Sequence, residues 1–278
     1  MSSLTILEPG PLATIQDRGR AGQAALGVPA SGACDRSAYE LANRLVGNRP
    51  GAAALEVTFG GLVMHADIDL VVAITGAPCT GVPLNAPATL RAGQLLRLGP
   101  PATGLRTYVA VRGGIDVPPV LGSRSTDLLS GLGPAPLTPG LTLPVGRAVE
   151  PMPGVDLAPV AHPAGGKVAL RVTAGPRRDW FTDAGWESLL SQTYQVSSNS
   201  NRVGTRLDGQ PLERATAGEL ASEGMARGAI QIPPSGTPVI FLADHPVTGG
   251  YPVIAYVADI DLDACAQLRP GQPVRLVT

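Results

Sequence analysis

LVVAITGAPCTG, residues 70–81, and PVIFLADHPVTG, residues 238–249, align without a gap at an offset of 168. Each is an apolar run that ends in Pro-x-Thr-Gly: Pro78, Thr80 and Gly81 in the first, Pro246, Thr248 and Gly249 in the second. A second pair follows in the same order, since LRAGQLLRL (90–98) matches LRPGQPVRL (268–276) at six of nine positions with an offset of 178. A shared hairpin turn accounts for the last match alone. Two matches in one order argue for two related halves, with ten residues inserted after Gly249 in the second. The first offset also nearly pairs Glu56 with Glu223, which suggests a structural acid used in both halves, and sets Leu62 against Ile230.

The two copies differ where the apolar run ends. ITGAPCTG carries no acid and no histidine, whereas the second copy places Asp244 and His245 there and adds Gly250 and Tyr251. A plain turn between two strands needs one or two such residues. Function added to one copy explains the difference, and so does drift.

Around these anchors the chain reads as mainly β with a few short helices. Strands rich in Val and Ile and bounded by Gly or Pro are predicted over 4–7, 55–59, 70–75, 95–98, 107–112, 168–173, 194–196, 229–232, 239–242, 253–257 and 274–277. CDRSAYELANRLVGN (34–48) predicts a helix with Asp35 as N-cap, Ala38, Leu41, Ala42 and Leu45 on one face, and Gly47 closing it. TDAGWESLLSQ (182–192) predicts a second, capped by Thr182 or Asp183, and a short third starts at Asp261. Residues 134–163 are Pro- and Gly-rich with little periodicity and read as a linker or long crossing segment. The expected domains are therefore 1–133 and 164–278.

Composition narrows the function. The chain has 278 residues and a formal charge of −1, so no broad attraction to nucleic acid or an anionic membrane is expected. No apolar run is long enough to span a bilayer, and residues 1–16 lack the apolar core of a secretory signal. Three isolated cysteines and three isolated histidines show no zinc-ligand spacing, so no metal is expected and a reduced, cytoplasmic protein is. Lys167 is the single lysine, and its setting PAGGKVAL lacks the first glycine and the Ser/Thr of a Walker A loop. No lysine sits in a Met-Lys-Met setting for biotin. Machinery for ATP or biotin is therefore expected on another chain.

Four stretches carry candidate chemistry. TIQDRGRAGQAALGVPASGACD (14–35) offers Asp17, Arg18 and glycine-freed amides for a carboxylate, carbonyl or phosphate, and fits equally a twisted hairpin with an Asp–Arg pair. SNSNRVGTRL (198–207) brings Asn199, Asn201, Arg202 and Arg206, donors suited to a planar amide or ureide, or simply a polar turn. ASEGMARGAIQIPPSG (221–236) places Glu223 before a strand carrying Gln231. ADHPVTGGYP (243–252) supplies Asp244 as an acid, His245 as donor or base, Thr248, Tyr251, and the Gly249 and Gly250 amides. A GxSxG elbow is absent, so serine hydrolysis finds no support.

These stretches, together with RGGIDVPPVLGSRSTD (112–127), SNRVGTRLDG (200–209), SEGMARGAIQIPP (222–234) and DHPVTGGYPVIA (244–255), strongly resemble the biotin-dependent carboxyltransferase-like family. That family is also called allophanate hydrolase subunit 2 or KipI antagonist, and includes the C subunit of bacterial 5-oxoprolinase. The likeness spans nearly the whole chain and is weakest over 134–163. It implies two related cyclophilin-like β-barrel domains. It also implies partners: a KipI-like B subunit (the allophanate hydrolase subunit 1 type) and, in 5-oxoprolinase, a further A subunit.

The resemblance implies an ATP-dependent 5-oxoprolinase complex that opens the lactam of 5-oxo-L-proline to L-glutamate. Asp244 and Glu223 are then the candidate catalytic acids. Asp17, Arg18, Asn199, Asn201, Arg202, Arg206, Gln231, His245, Thr248, Gly249, Gly250 and Tyr251 are the candidate substrate-binding residues. The alternatives are half of a split carboxyltransferase acting on urea or an amide, with biotin on a separate carrier, and a KipI-antagonist binding protein. An amidase Ser-Ser-Lys pattern is absent, so the name allophanate hydrolase supplies no mechanism.

Overall fold

The computed structural model describes residues 2–81, 83–216, 218 and 220–278. The chain divides into two compact units. One comprises 1–20, 31–127 and 131–163; the other comprises 21–30, 128–130 and 164–278.

Nine strands of the first unit lie among the described residues: β1 (Ser3–Pro9), β2 (Leu12–Gln16), β3 (Ala54–Thr58), β4 (Leu62–Ala66), β5 (Leu70–Gly76), β6 (Pro87–Leu90), β7 (Leu95–Arg97), β8 (Arg106–Val111) and β9 (Thr142–Pro144). They form a four-stranded sheet, β7-β4-β1-β9, and a five-stranded sheet, β2-β3-β8-β5-β6. Strand periodicity explains how these sheets enclose one core. Leu55 and Val57, Leu70, Val72 and Ile74, and Val109 and Val111 alternate inward to meet Leu4, Ile6, Leu62 and Met64 of the other sheet. The opposite face of the larger sheet presents Ala54, Ala73, Tyr108 and Ala110 to Ala38, Tyr39, Ala42 and Leu45 of helix α1 (Arg36–Leu45). Small alanines there let the helix lie close to the strands. Asp35 caps α1 as expected, its carboxylate accepting from the Ala38 N–H at 2.9 Å.

In the second unit, β10 (Val168–Ala174), β11 (Tyr194–Val196), β12 (Gly204–Asp208), β14 (Ala229–Gln231), β15 (Val239–Phe241), β17 (Val253–Val257) and β18 (Pro273–Val277) close a barrel in the order β10-β17-β14-β15-β12-β11-β18. A parallel pairing of β10 with β18, Val168 opposite Val274, shuts it. Short strands β13 (Glu223–Gly224) and β16 (Thr248–Gly249) pair separately. Helices α2 (Asp183–Ser191), capped by Thr182, and α3 (Leu262–Ala266) complete the unit. Of the two barrels expected, this one is closed by hydrogen bonds, whereas the first unit is two sheets over one core.

The repeat survives in atomic detail at its turns. In the first unit the Arg91 N–H donates to Gln94 Oε1 at 2.7 Å, and the Gln94 N–H to the Arg91 carbonyl at 2.9 Å. In the second, Arg269 and Gln272 make the same two bonds, both at 3.0 Å. Gly93 and Gly271 between them have φ of +85° and +78°, the left-handed region that a turn of this kind reserves for glycine. The near-paired acids diverge. Glu56 is buried and accepts from the Cys34 N–H at 2.9 Å and the Tyr108 hydroxyl at 2.7 Å, whereas Glu223 is half-buried against Arg177.

Residues 134–163, expected to be a linker or crossing segment, group with the first unit and carry β9, which pairs with β1 through Leu4 and the buried Leu143. Periodicity missed β9 because one inward side chain per three-residue strand leaves no pattern to read. All three cysteines are free and buried, and burial pushes the Cys265 thiol up to about 12, so it is unreactive near neutral pH. Among the described residues no helix is long and apolar enough to cross a membrane, and no group of acids, histidines and cysteines could hold a metal ion.

The Tyr108 hydroxyl donates to Glu56 and accepts from the Asp35 N–H at 2.7 Å, joining the sheet to the α1 cap. Tyr108→Phe removes both bonds without altering the packing. Urea unfolding should show a loss of about 1–3 kcal/mol, the cost of leaving buried polar groups short of a partner.

Candidate functional site

Most of the sequence-predicted residues fall in the second unit, in two groups. The first is organised by a buried ion pair. Arg202 and Asp244 are 1% and 0% exposed. Arg202 donates from Nε to Oδ2 at 2.9 Å and from Nη2 to Oδ1 at 2.8 Å. Backbone bonds run in parallel, from the Asp244 N–H to the Arg202 carbonyl at 3.0 Å and from the Leu242 N–H to Val203 at 2.9 Å. The Leu128 N–H also reaches Asp244 Oδ2, at 3.1 Å. This carboxylate thus ties the 198–207 turn, the 243–252 loop and the 128–130 segment together. Asp244 was expected as an acid able to orient water or substrate. Its fully buried, bidentate pairing makes it an anchor of the loop instead.

The neighbours of that pair serve the backbone. Asn201 Oδ1 accepts from the N–H groups of Val203 and Gly204, at 2.8 and 3.3 Å, stapling the turn. Asn199 and Arg206 are exposed, Arg206 on β12 with its N–H bound to Ser200 Oγ at 3.0 Å. His245 has Nδ1 2.8 Å from the Pro246 carbonyl, a contact that requires the proton on Nδ1, and its ring tilts against Phe241.

The second group lies along the β13–β16 pairing. Glu223 stands opposite Gly249, and Gly224 opposite Thr248. The Met225 N–H extends the ladder to the Val247 carbonyl at 2.8 Å. Gln231, buried on β14, donates to the Tyr251 carbonyl at 3.0 Å. A Cβ on Gly249 would lie 2.7 Å from the Gln231 amide nitrogen, so a larger residue there would push the Gln231 side chain aside. Arg177 donates through both Nε and Nη2 to the Glu223 carboxylate, and its own N–H binds the Val253 carbonyl at 3.1 Å. Glu223, Gln231, Thr248, Gly249 and Tyr251 are thus brought into one neighbourhood. Thr248 and Tyr251 face solvent, and Gly250 follows between them.

Arg177 was not singled out in the sequence. Its only signal is the Arg177–Arg178 doublet after Gly175–Pro176, which marks where β10 stops but names no partner.

Asp17 and Arg18 belong to the first unit. Asp17 is a junction: Oδ1 accepts from the Gly19 N–H at 2.8 Å and from the hydroxyls of Ser123 and Ser125 at 2.6 Å, and Oδ2 from the Arg124 N–H at 2.6 Å. It binds the 17–20 turn to the 122–127 loop. Arg18 is exposed and pairs with Glu40 at 2.9 Å. Arg20, in the same turn, is the buried cation, donating to the Ser125 carbonyl and standing 3.9 Å from the Asp127 carboxylate.

Two outcomes follow from these pairings. Asp244→Ala and Arg202→Ala each strand a buried charge and should lower stability by about 3–5 kcal/mol in denaturant unfolding, while Arg202→Met with Asp244→Leu recovers most of the loss. The hydrogen bond from Arg177 holds the Glu223 carboxyl below its usual range. A depressed folded-state value means that the pair's contribution is complete above the unfolded value of about 4.3 and is lost as pH falls through the folded value. The stability gap between the parent and Glu223→Gln should therefore be flat from about pH 6 to 8 and close in acid below about pH 4.

A family model described as carboxyltransferase domain, subdomain A and B, matches residues 26–278. The chain is 40% identical over 283 residues to the 5-oxoprolinase C subunit of Escherichia coli (strain K12), covering 99% of this chain and 90% of that protein. Among solved structures, the crystal structure of TTHA0988 superposes with a TM-score of 0.90 at 35% identity, over 100% of this chain and 56% of that one, so the chain spans about half its length. The urea amidolyase of K. lactis superposes with a TM-score of 0.88 at 31% identity, over 99% of this chain and 18% of that one. With a two-unit β architecture and a family match over nearly its whole length, the chain belongs to the carboxyltransferase domain family, subdomains A and B.

Proposed function

We propose that this chain is the C subunit of an ATP-dependent 5-oxoprolinase, an amide hydrolase complex that opens the lactam of 5-oxo-L-proline to L-glutamate. The observation that carries this reading is end-to-end identity. The similarity to the 5-oxoprolinase relative covers 99% of this chain and 90% of that protein, whereas the likeness to urea amidolyase covers only 18% of a much longer chain.

In this reading the chain binds and positions, and does so only with its partners, the KipI-like B and the A subunits. Lys167 is exposed at the edge of β10 and is the chain's one lysine, which favours placing ATP on those partners. Lactam opening adds water across the C–N bond: hydroxyl goes to the carbonyl carbon and a proton to nitrogen. On this chain, Glu223 is the acid best placed to meet substrate or water, because it is half-buried and its strand pairs with the stretch that carries the exposed Thr248 and Tyr251. Arg177 keeps it ionised and aimed. Gln231 holds the Tyr251 backbone, and Arg202–Asp244 holds the stem of the loop.

A second reading is favoured by the family description itself. Carboxyl transfer to urea or an amide, with biotin on a separate carrier, fits the carboxyltransferase match. The two make opposite demands: avidin should leave a 5-oxoprolinase untouched and stop a biotin-dependent transfer.

Glutamate release from 5-oxoproline and ATP by the purified three-component complex is expected to require this chain and to resist avidin. Glu223→Gln should lower kcat by about 10²–10⁴-fold, the usual contribution of one positioned acid or base, in a complex that remains folded at neutral pH. No release from folded, co-purifying components would sink the reading.

A further inference from the structure

The first unit holds a pocket of about 240 Å³ walled by residues 47–49, 52–53, 113–116, 124 and 146–149. Its walls are fastened before any ligand arrives. The Asn48 amide donates to Asn43 Oδ1 and to the Val111 carbonyl, both at 2.8 Å, and its oxygen accepts from the Gly113 N–H at 2.7 Å. Arg112 donates to the Val46 carbonyl at 2.8 Å and to the Glu150 carbonyl at 2.6 Å, clasping the end of α1 to the 146–150 strap. The Gly146 N–H binds the Gly114 carbonyl at 3.0 Å.

The lining carries three guanidinium groups against one carboxylate. Arg124 is committed, donating to Asp116 at 2.8 Å and to the Val117 carbonyl at 2.6 Å. Arg49 meets Glu150 at 3.1 Å, with side chains 68% and 47% exposed. An exposed pair of this kind contributes only about 0–1 kcal/mol, so Glu150 is readily exchanged for a better anion. Arg147 is exposed and makes no hydrogen bond or ion pair with the described residues. A pocket of this size has room for a small hydrated anion.

We propose that this pocket binds a small oxyanion, a carboxylate or a phosphate, between Arg147 and Arg49 on a preformed wall. The motif RGGID (112–116), which the activity above leaves without a role, builds that wall. The proposal stands whether or not the chain serves a 5-oxoprolinase. Two exchangeable arginines and a rigid backbone rim suit charge-assisted bonds to an oxyanion, because the protein need not reorganise to make them.

The test is isothermal titration of the full chain with sodium phosphate and, separately, sodium glutamate, with chloride holding ionic strength constant. Saturable binding of either anion is expected, and which one binds identifies the source. Arg147→Ala and Arg49→Ala should each weaken it by about tenfold or more, the factor that corresponds to about 1.4 kcal/mol. Arg147→Lys should keep most of it, and Arg97→Ala, an exposed arginine outside the pocket, should leave it unchanged. The exposed variants should unfold at the parent's temperature, which separates lost binding from lost fold. Absence of saturable binding by both anions, or binding equally strong in both alanine variants, would overturn the proposal.

Discussion

The buried pair of Arg202 and Asp244 is the constraint on which the organisation of the second unit's loops depends. A carboxylate withdrawn from water loses several kcal/mol of solvation, and only a full set of donors offsets that loss. Here the donors come from Arg202, 42 residues away, and from the Leu128 amide, 116 residues away. The pair therefore holds those segments together in one loop geometry. Asp17 acts by the same logic in the first unit, where its four accepted bonds draw the 122–127 loop onto the 17–20 turn.

This placement changes how the acids are weighed. Asp244 and Glu223 are alike on paper, each beside a glycine-containing stretch. Burial separates them. Asp244 has no face toward solvent, while Glu223 lies on a two-residue strand pairing next to exposed residues and is held by an arginine that is itself partly exposed. An anchored acid fixes geometry, and a half-exposed, aimed acid can meet a ligand. The divergence between the repeated halves therefore has two parts. His245 and Asp244 give the second copy a rigid stem, and Gly249 through Tyr251 give it an accessible edge.

The first unit has a comparable division. Its core and helix face follow from strand alternation, while the 146–149 strap, the turn after β8 and residues 47–53 wall a cationic pocket whose floor touches the core at Ala53 and Ile115. Proline and glycine in the 134–163 segment suppress regular structure and let the backbone run close to β1 and the Gly113–Gly114 turn. That closeness leaves a walled space in place of a packed contact.

The sequence by itself determined the mainly β class, the cap of α1 at Asp35, the doubled architecture and the family likeness, and left the cap of α2 between Thr182 and Asp183. Each of these is written in local spacing: alternation at two, recurrence at three and four, a turn motif repeated at a fixed distance. It missed β2, β4, β6, β9 and β12, which hold at most one Val or Ile each, and the two-residue strands β13 and β16, which are defined only by each other. It also could not assign partners. That Glu223 faces Arg177, that Asp244 is sealed by Arg202, and that Arg147 lines a pocket facing no described partner were decided by the tertiary structure alone. Ion pairs form across tens of residues, and no local period encodes which distant strand end will arrive beside a given acid.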